Sequence, residues 1–100
     1  MFIIRYSLPA SRDLIEISEY LEAQADAETA RAVLRRIRRQ IKALENHALR
    51  YRERRELGIG RRAILIGPYL AFYRLEDGTV FVLRILHTAR NIKPTMFESE

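Results

Sequence analysis

The residues best suited to chemistry on a phosphodiester are one histidine and four arginines in the second half of the chain. Metal-free cleavage of RNA needs a base for the 2′-hydroxyl, an acid for the leaving 5′-oxygen, and cations for the phosphorane charge. Histidine titrates near neutral pH, and arginine can hold a phosphate through two hydrogen bonds. His87, Arg62 and Arg84 are therefore the candidate catalytic residues of a ribonuclease, with Arg61 and Arg90 as further candidates for contact with a phosphate or a target.

The same residues also admit structural roles. Arginine is effectively always protonated, so His87 would have to serve as both base and acid. A histidine at the end of a strand can instead hydrogen-bond to neighbouring backbone. Arg84 interrupts an apolar strand face, where it either pairs with Asp13 or Glu16 of the first helix or lies exposed on a binding surface. Whether the protein is an enzyme stays open, with a non-catalytic role favoured.

Metal, cofactor and membrane sites are not expected. The chain has no cysteine, and its two histidines, His47 and His87, lie in separate contexts. The first six residues do not resemble a signal peptide, and no apolar run is long enough to span a bilayer. We therefore expect a cytoplasmic protein without a cofactor or membrane contact.

Positive charge is concentrated in the middle of the chain. Residues 31–62 carry twelve Arg or Lys and three Glu, whereas the remainder carries more acidic than basic residues. This polarity indicates an anionic partner, either nucleic acid or an acidic protein surface, or else a solvated helix face rich in arginine.

The elements that must position these residues follow from the apolar periodicity. Strands are predicted at residues 2–6, 61–66, 69–75 and 80–87, and helices at residues 8–24 and about 27–44, capped by Ser7 and Asp26. Short turns join the helices into a hairpin and the last three strands into an antiparallel meander. The order β-α-α-β-β-β predicts a single α+β domain over residues 1–100, with a helical hairpin packed on a small, mainly antiparallel sheet.

Two other regions are predicted to lack regular structure. Residues 45–60 form a basic connecting loop, and residues 88–100 form a polar, lightly ordered tail. The last strand is apolar on both faces, so both sides of the sheet are expected to be covered. The helical hairpin can cover one side, and a partner is one candidate for the other.

Four motifs, in this order, resemble the ParE branch of the RelE/ParE toxins. They are Ala10-Ser-Arg-Asp-Leu-Ile-Glu-Ile, Glu56-Leu-Gly-Ile-Gly-Arg-Arg, Gly67-Pro-Tyr-Leu-Ala-Phe-Tyr-Arg and Val82-Leu-Arg-Ile-Leu-His-Thr-Ala-Arg-Asn. The resemblance spans nearly the whole chain. It implies the toxin of a type II toxin–antitoxin (plasmid stabilisation) module that arrests growth, either by inhibiting DNA gyrase or, as in RelE-type members, by cleaving mRNA on the ribosome.

Two departures from the RelE pattern favour gyrase inhibition over cleavage. The segment after His87 contains no tyrosine, and the connecting loop contains arginine but no lysine. A third possibility is a decayed toxin that survives as a complex partner.

The resemblance also implies a cognate antitoxin. We expect it to be of the ribbon-helix-helix type, to be encoded by an adjacent gene, and to provide the only contact with operon DNA. Its candidate contacts are the apolar edge formed by Leu14, Ile17 and Tyr20 and the second face of the sheet. An extended antitoxin segment could also add to a sheet edge.

Overall fold

A four-stranded sheet with the order β1-β4-β3-β2 organises the protein in a computed structural model that describes residues 1–90 and 92–97. The elements are β1 (Ile3–Tyr6), α1 (Leu8–Gln24), α2 (Ala27–Lys42), α3 (Leu44–His47), β2 (Arg61–Ile66), β3 (Tyr69–Glu76) and β4 (Thr79–His87), with 3₁₀ turns at Arg55–Leu57 and Pro94–Phe97. β1 runs parallel to β4, and the other pairs are antiparallel. The predicted α+β class and the predicted order of helices and strands are confirmed.

Both predicted helix caps are present. The Ser7 hydroxyl accepts a hydrogen bond from the Ala10 N–H at 3.1 Å, and the Asp26 carboxylate accepts one from the Thr29 N–H at 2.6 Å. Each satisfies a backbone donor that has no partner within its own helix. The connecting region departs from the expected loop, because α3 and a 3₁₀ turn occupy part of it.

Local backbone geometry sets the register of the meander. Asp77 and Gly78 both have positive φ, +47° and +74°, which suits the tight turn between β3 and β4. A β-bulge then shifts the register of β4, so that Phe72 pairs with Arg84 while Tyr73 pairs with Val82. The extra residue changes the direction of the side chains that follow it.

The main core lies between the sheet and the helical hairpin. Its buried members include Leu14 of α1, Ile37 and Ile41 of α2, and Tyr73 and Val82 of the sheet. Tyr73 is fully buried, and its hydroxyl donates a hydrogen bond to the Ala48 carbonyl at 2.6 Å. Burial raises the pKa of Tyr73 to about 12.

The second face of the sheet is covered by the chain itself. A smaller core there contains Leu57, Phe72, Leu83, Leu86 and Phe97. Phe97 is 1% exposed, and its ring lies 5.0 Å from that of Phe72. The C-terminal region therefore differs from the expected polar, lightly ordered tail: the turn at Pro94–Phe97 carries an apolar anchor. Asn91 and residues 98–100 lie outside the described residues.

Among the helices that the structure describes, none has the length and apolar character needed to cross a bilayer.

Candidate functional site

The free edge of β4 beyond β1 is closed by residues of α1 and its cap. The pairing of β1 with β4 ends at Tyr6 and Val82. From there the Ser7 hydroxyl donates to the Leu83 carbonyl at 2.9 Å, and the Ile85 N–H donates to Asp13 Oδ2 at 2.9 Å. Side chains of the helix thus replace the backbone partners that a longer β1 would have supplied.

Arg84 forms a buried pair with Asp13. Its Nε and Nη2 donate to the two Asp13 carboxylate oxygens at 2.8 and 2.9 Å, and its Nη1 donates to the Met96 carbonyl at 3.2 Å. The side chains of Arg84 and Asp13 are only 16% and 6% exposed. The hydrogen bond to Asp13 is the main reason that the pKa of Arg84 is raised. Of the two alternatives for Arg84, the structure shows the internal ion pair.

Arg61 is also engaged inside the protein. Its Nη1 donates to the Leu57 carbonyl, and its guanidinium lies 5.1 Å from the centroid of the Phe97 ring, a cation–π contact. Gly58 allows this arrangement, because a Cβ at that position would lie 2.7 Å from Arg61 Nη1. Gly58 also has a φ of +129°, a backbone conformation that residues other than glycine rarely adopt.

Arg62 holds the connecting region against the start of β2. Its Nη1 donates to the Tyr51 carbonyl, and its backbone forms an isolated bridge with Glu53. The guanidinium groups of Arg61, Arg62 and Arg84 all donate to backbone or carboxylate oxygens of the chain itself.

His87 lies exposed at the end of β4, with its ring oriented by two contacts. Its Nδ1 accepts a hydrogen bond from the Ala89 N–H at 3.0 Å, and its ring lies edge-on to Tyr69 with centroids 5.5 Å apart. A neutral histidine whose Nδ1 is an acceptor carries its proton on Nε2. Nε2 can therefore donate a hydrogen bond in this arrangement, while Nδ1 is occupied by the Ala89 N–H.

His87 and Arg90 face an open groove between α1 and the end of β4, which we call the α1–β4 groove. Its volume is about 780 Å³, and its lining also includes Glu16, Ile17 and Tyr20. Tyr20 is 62% exposed. The groove thus brings together two of the expected antitoxin contacts, one expected target contact and one candidate catalytic residue.

Leu14, the third expected antitoxin contact, is only 5% exposed and belongs to the core, so it does not form an exposed edge. Its neighbour Ile15 is 58% exposed and was not predicted as a contact. The sequence signal that could have identified Ile15 is that it is an apolar residue outside the buried stripe of α1.

A second groove lies between β1, α1 and α2, and we call it the β1–α2 groove. It has a volume of about 540 Å³, and its lining includes Tyr6, Leu14 and Ile15, the basic Arg38, and Lys42 with its ion-pair partner Glu45. This mixture suits a segment that carries both apolar and acidic side chains.

The β1–α2 groove also borders an open sheet edge. β1 is the outermost strand on this side, and its N–H groups alternate in direction along the strand. The N–H groups of Ile3 and Ser7 bond toward β4. Those of Ile4 and Tyr6 therefore face away from β4, where an added strand could pair with them. The Phe2 N–H, on the same side, already donates to the Glu45 carbonyl at 2.8 Å.

No cluster of three or more metal-ligating side chains occurs within residues 1–90 and 92–97.

Comparison with known proteins identifies the family. Residues 4–92 match the model of the ParE toxin of the type II toxin–antitoxin system parDE. The chain belongs to the ParE toxin family. A search of curated protein sequences returns no significant match.

Two solved structures resemble this ParE-family chain. One is the chromosomal ParDE toxin–antitoxin system from P. aeruginosa, with a TM-score of 0.78 and 24% identity over 87% of this chain and 96% of that one. The other is the RelBE2 toxin–antitoxin complex from Mycobacterium tuberculosis, with a TM-score of 0.59 and 26% identity over 86% and 96% of the two chains. Both share the fold described above.

Proposed function

We propose that this toxin of a type II toxin–antitoxin system arrests growth in the cytoplasm by binding and inhibiting DNA gyrase, without a catalytic residue of its own. The observation that carries this proposal is the internal use of Arg61, Arg62 and Arg84, whose guanidinium groups bond to the chain itself. They are three of the four arginines expected to contact a phosphate in a cleavage site, and the fourth, Arg90, faces the α1–β4 groove.

The groups that remain in the α1–β4 groove support binding better than cleavage. His87 and Arg90 supply hydrogen-bond donors, but neither offers a free base in the observed geometry. Tyr20 adds an exposed aromatic surface. Tyrosine and arginine are enriched among the residues at the centre of protein interfaces that contribute most to binding. The groove is therefore our candidate surface for contact with gyrase.

Supercoiling of relaxed plasmid by purified gyrase tests this proposal. We expect added toxin to block supercoiling or to trap cleaved DNA, and we expect Tyr20→Ala to weaken the effect more than Leu65→Ala, which alters an equally exposed side chain on β2. Normal supercoiling at saturating toxin, in a preparation that stops translation, would exclude gyrase as the target.

We also propose that a ribbon-helix-helix antitoxin from an adjacent gene neutralises the toxin by covering both grooves. The β1–α2 groove offers apolar side chains, the cation Arg38 and an open strand edge, whereas Lys42 there pairs with Glu45. An extended, partly acidic antitoxin tail matches all three features. Both structural neighbours are components of toxin–antitoxin complexes, which supports a partner of this kind.

Capture of the toxin by the product of the adjacent gene tests the antitoxin proposal. Ile15→Asp should weaken co-purification by about tenfold or more, because it places a charge among the apolar contacts of the β1–α2 groove. Leu65→Asp is the matched control, since Leu65 is exposed to a similar degree on another strand. Equal losses in the two variants would argue against this groove.

A ribosome-dependent mRNA endonuclease is the second candidate function. It is favoured by the exposure of His87 and Arg90 on one groove and by the similarity to the RelBE2 structure. It predicts defined cleavage of mRNA in a translation reaction, which primer extension would detect. Intact mRNA at toxin concentrations that arrest growth would exclude it.

A further inference from the structure

The outer surface of α2 carries four arginines that lie close together. Arg31, Arg35, Arg38 and Arg39 are all exposed, and we call them the arginine face. At 3.6 residues per turn they fall within a sector of roughly 100° on the side of the helix away from the buried Ile37. Their charges therefore project together into solvent.

These charges are poorly compensated by the protein. Within residues 1–90 and 92–97, none of the four arginines forms an ion pair, whereas Lys42 at the end of α2 pairs with Glu45 at 3.6 Å. α2 has a single carboxylate, Glu28 in its first turn, which follows the Asp26 cap. A row of like charges on one helix is mutually repulsive, so an anion bound there would relieve that repulsion.

We propose that the arginine face binds the phosphate backbone of duplex DNA without reading its sequence. Phosphate contacts need cations but no apolar anchor, and they supply most of the affinity of non-specific DNA binding. The sector holds no large apolar side chain, whereas protein interfaces are depleted of charge at their centres. The inference does not depend on the toxin's target, and the arginine face shares only Arg38 with the β1–α2 groove proposed for the antitoxin.

The shape of the face favours duplex DNA over RNA. Arg31, Arg35 and Arg39 follow one another at intervals of four residues, so they span roughly 12 Å along the helix axis. The major groove of B-form DNA, about 12 Å wide, admits an α-helix, whereas the deep and narrow major groove of A-form RNA does not. Single-stranded nucleic acid is usually held by stacking on aromatic side chains, and α2 has none.

The experiment measures fluorescence anisotropy of a labelled DNA duplex of arbitrary sequence as the full-length protein is added at several salt concentrations. Four phosphate contacts predict that affinity falls about a hundredfold between about 50 and 200 mM NaCl. The test variant replaces all four residues of the arginine face by glutamine, which preserves helix propensity. The control variant has the same net charge but replaces four exposed arginines elsewhere: Arg5→Gln, Arg12→Gln, Arg50→Gln and Arg52→Gln.

The test variant should lose about tenfold or more in affinity for the duplex, and the slope of log affinity against log salt should fall in magnitude by about 3.6. The control should lose less than about threefold, and both variants should retain the wild-type circular dichroism spectrum. Equal losses in the two variants would show that bulk charge, not this face, binds DNA. The absence of wild-type binding at the lowest salt, or tighter binding to single-stranded RNA or polyglutamate, would also overturn the proposal.

Discussion

Arg84 and the arginine face of α2 show the same residue type in opposite situations. Arg84 is largely buried and gives its donors to Asp13 and to the Met96 carbonyl. The arginines of α2 are exposed and form no ion pair among the described residues. The difference teaches that charge content alone does not identify a binding surface. What distinguishes the two regions is whether the guanidinium already has partners within the fold.

The two regions should respond very differently to substitution. Breaking a buried ion pair leaves an uncompensated charge in the interior, which is strongly destabilising. Exposed arginines contribute little to stability, because their charges are solvated and screened. The following substitutions test this contrast, from the largest expected effect to the smallest.

Replacing Asp13 by alanine should lower the free energy of unfolding by about 3 kcal/mol or more. The substitution leaves the Arg84 guanidinium without its carboxylate partner and removes the acceptor of the Ile85 N–H. Urea unfolding measures this change. Glu16→Ala is the matched control on the same helix, since Glu16 is exposed. If the two variants unfolded alike, the pair would not be the connection between α1 and β4 that we describe.

Phe97→Ala tests the cover of the second sheet face. The free energy of unfolding should fall by about 2 kcal/mol, which is below the usual range for a phenylalanine at the centre of a core. The effect is smaller because the C-terminal segment can detach without opening the main core. Thr95→Ala, at an exposed position in the same turn, should change stability by less than about 0.5 kcal/mol. Near-equal melting temperatures for the two variants would contradict a docked C-terminal segment.

The Tyr73→Phe variant should lose less stability than the wild type as the pH is raised above 10. The folded-state pKa of Tyr73 is raised from 10.0 to about 12, so the unfolded chain releases this proton first. Stability from Tyr73 is therefore complete below pH 10 and declines between pH 10 and 12, by about 2 kcal/mol for this group. At neutral pH the variant should lose only about 1 kcal/mol, for the hydrogen bond to Ala48. Thermal melts across this pH range measure the slope, and a wild-type slope in Tyr73→Phe would refute this assignment.

The smallest effect is expected when all four residues of the arginine face become glutamine. The free energy of unfolding should change by less than about 0.5 kcal/mol, because the side chains are exposed and without ion pairs. Chemical denaturation measures it. A loss comparable to that of Asp13→Ala would mean that these arginines are structural after all.

Local patterns accounted for the elements of the fold. Ser7 and Asp26 could be recognised as caps because capping depends on residues three positions away. The turn at Asp77-Gly78 could be recognised because a two-residue hairpin turn needs positive φ, which aspartate and glycine adopt more readily than most residues. The order of helices and strands followed from these signals and from apolar periodicity.

The remaining features depend on contacts between distant residues. Sequence offered Asp13 and Glu16 as equal partners for Arg84, and only the packing of α1 on the bulged β4 distinguishes them. The docking of the C-terminal segment was missed because Met96 and Phe97 are too few to form a periodic pattern. The exposure of Ile15 depends on the groove that α2 leaves open beside it.

Growth arrest by a His87→Ala variant tests most directly the claim that this toxin acts by binding and not by catalysis. Induced in cells without the antitoxin, and compared with the wild type at equal protein level and equal melting temperature, the variant should still arrest growth, because the ring donates at most one hydrogen bond to a target. Loss of toxicity in this folded variant, together with loss of mRNA cleavage, would contradict the account and establish His87 as a catalytic residue.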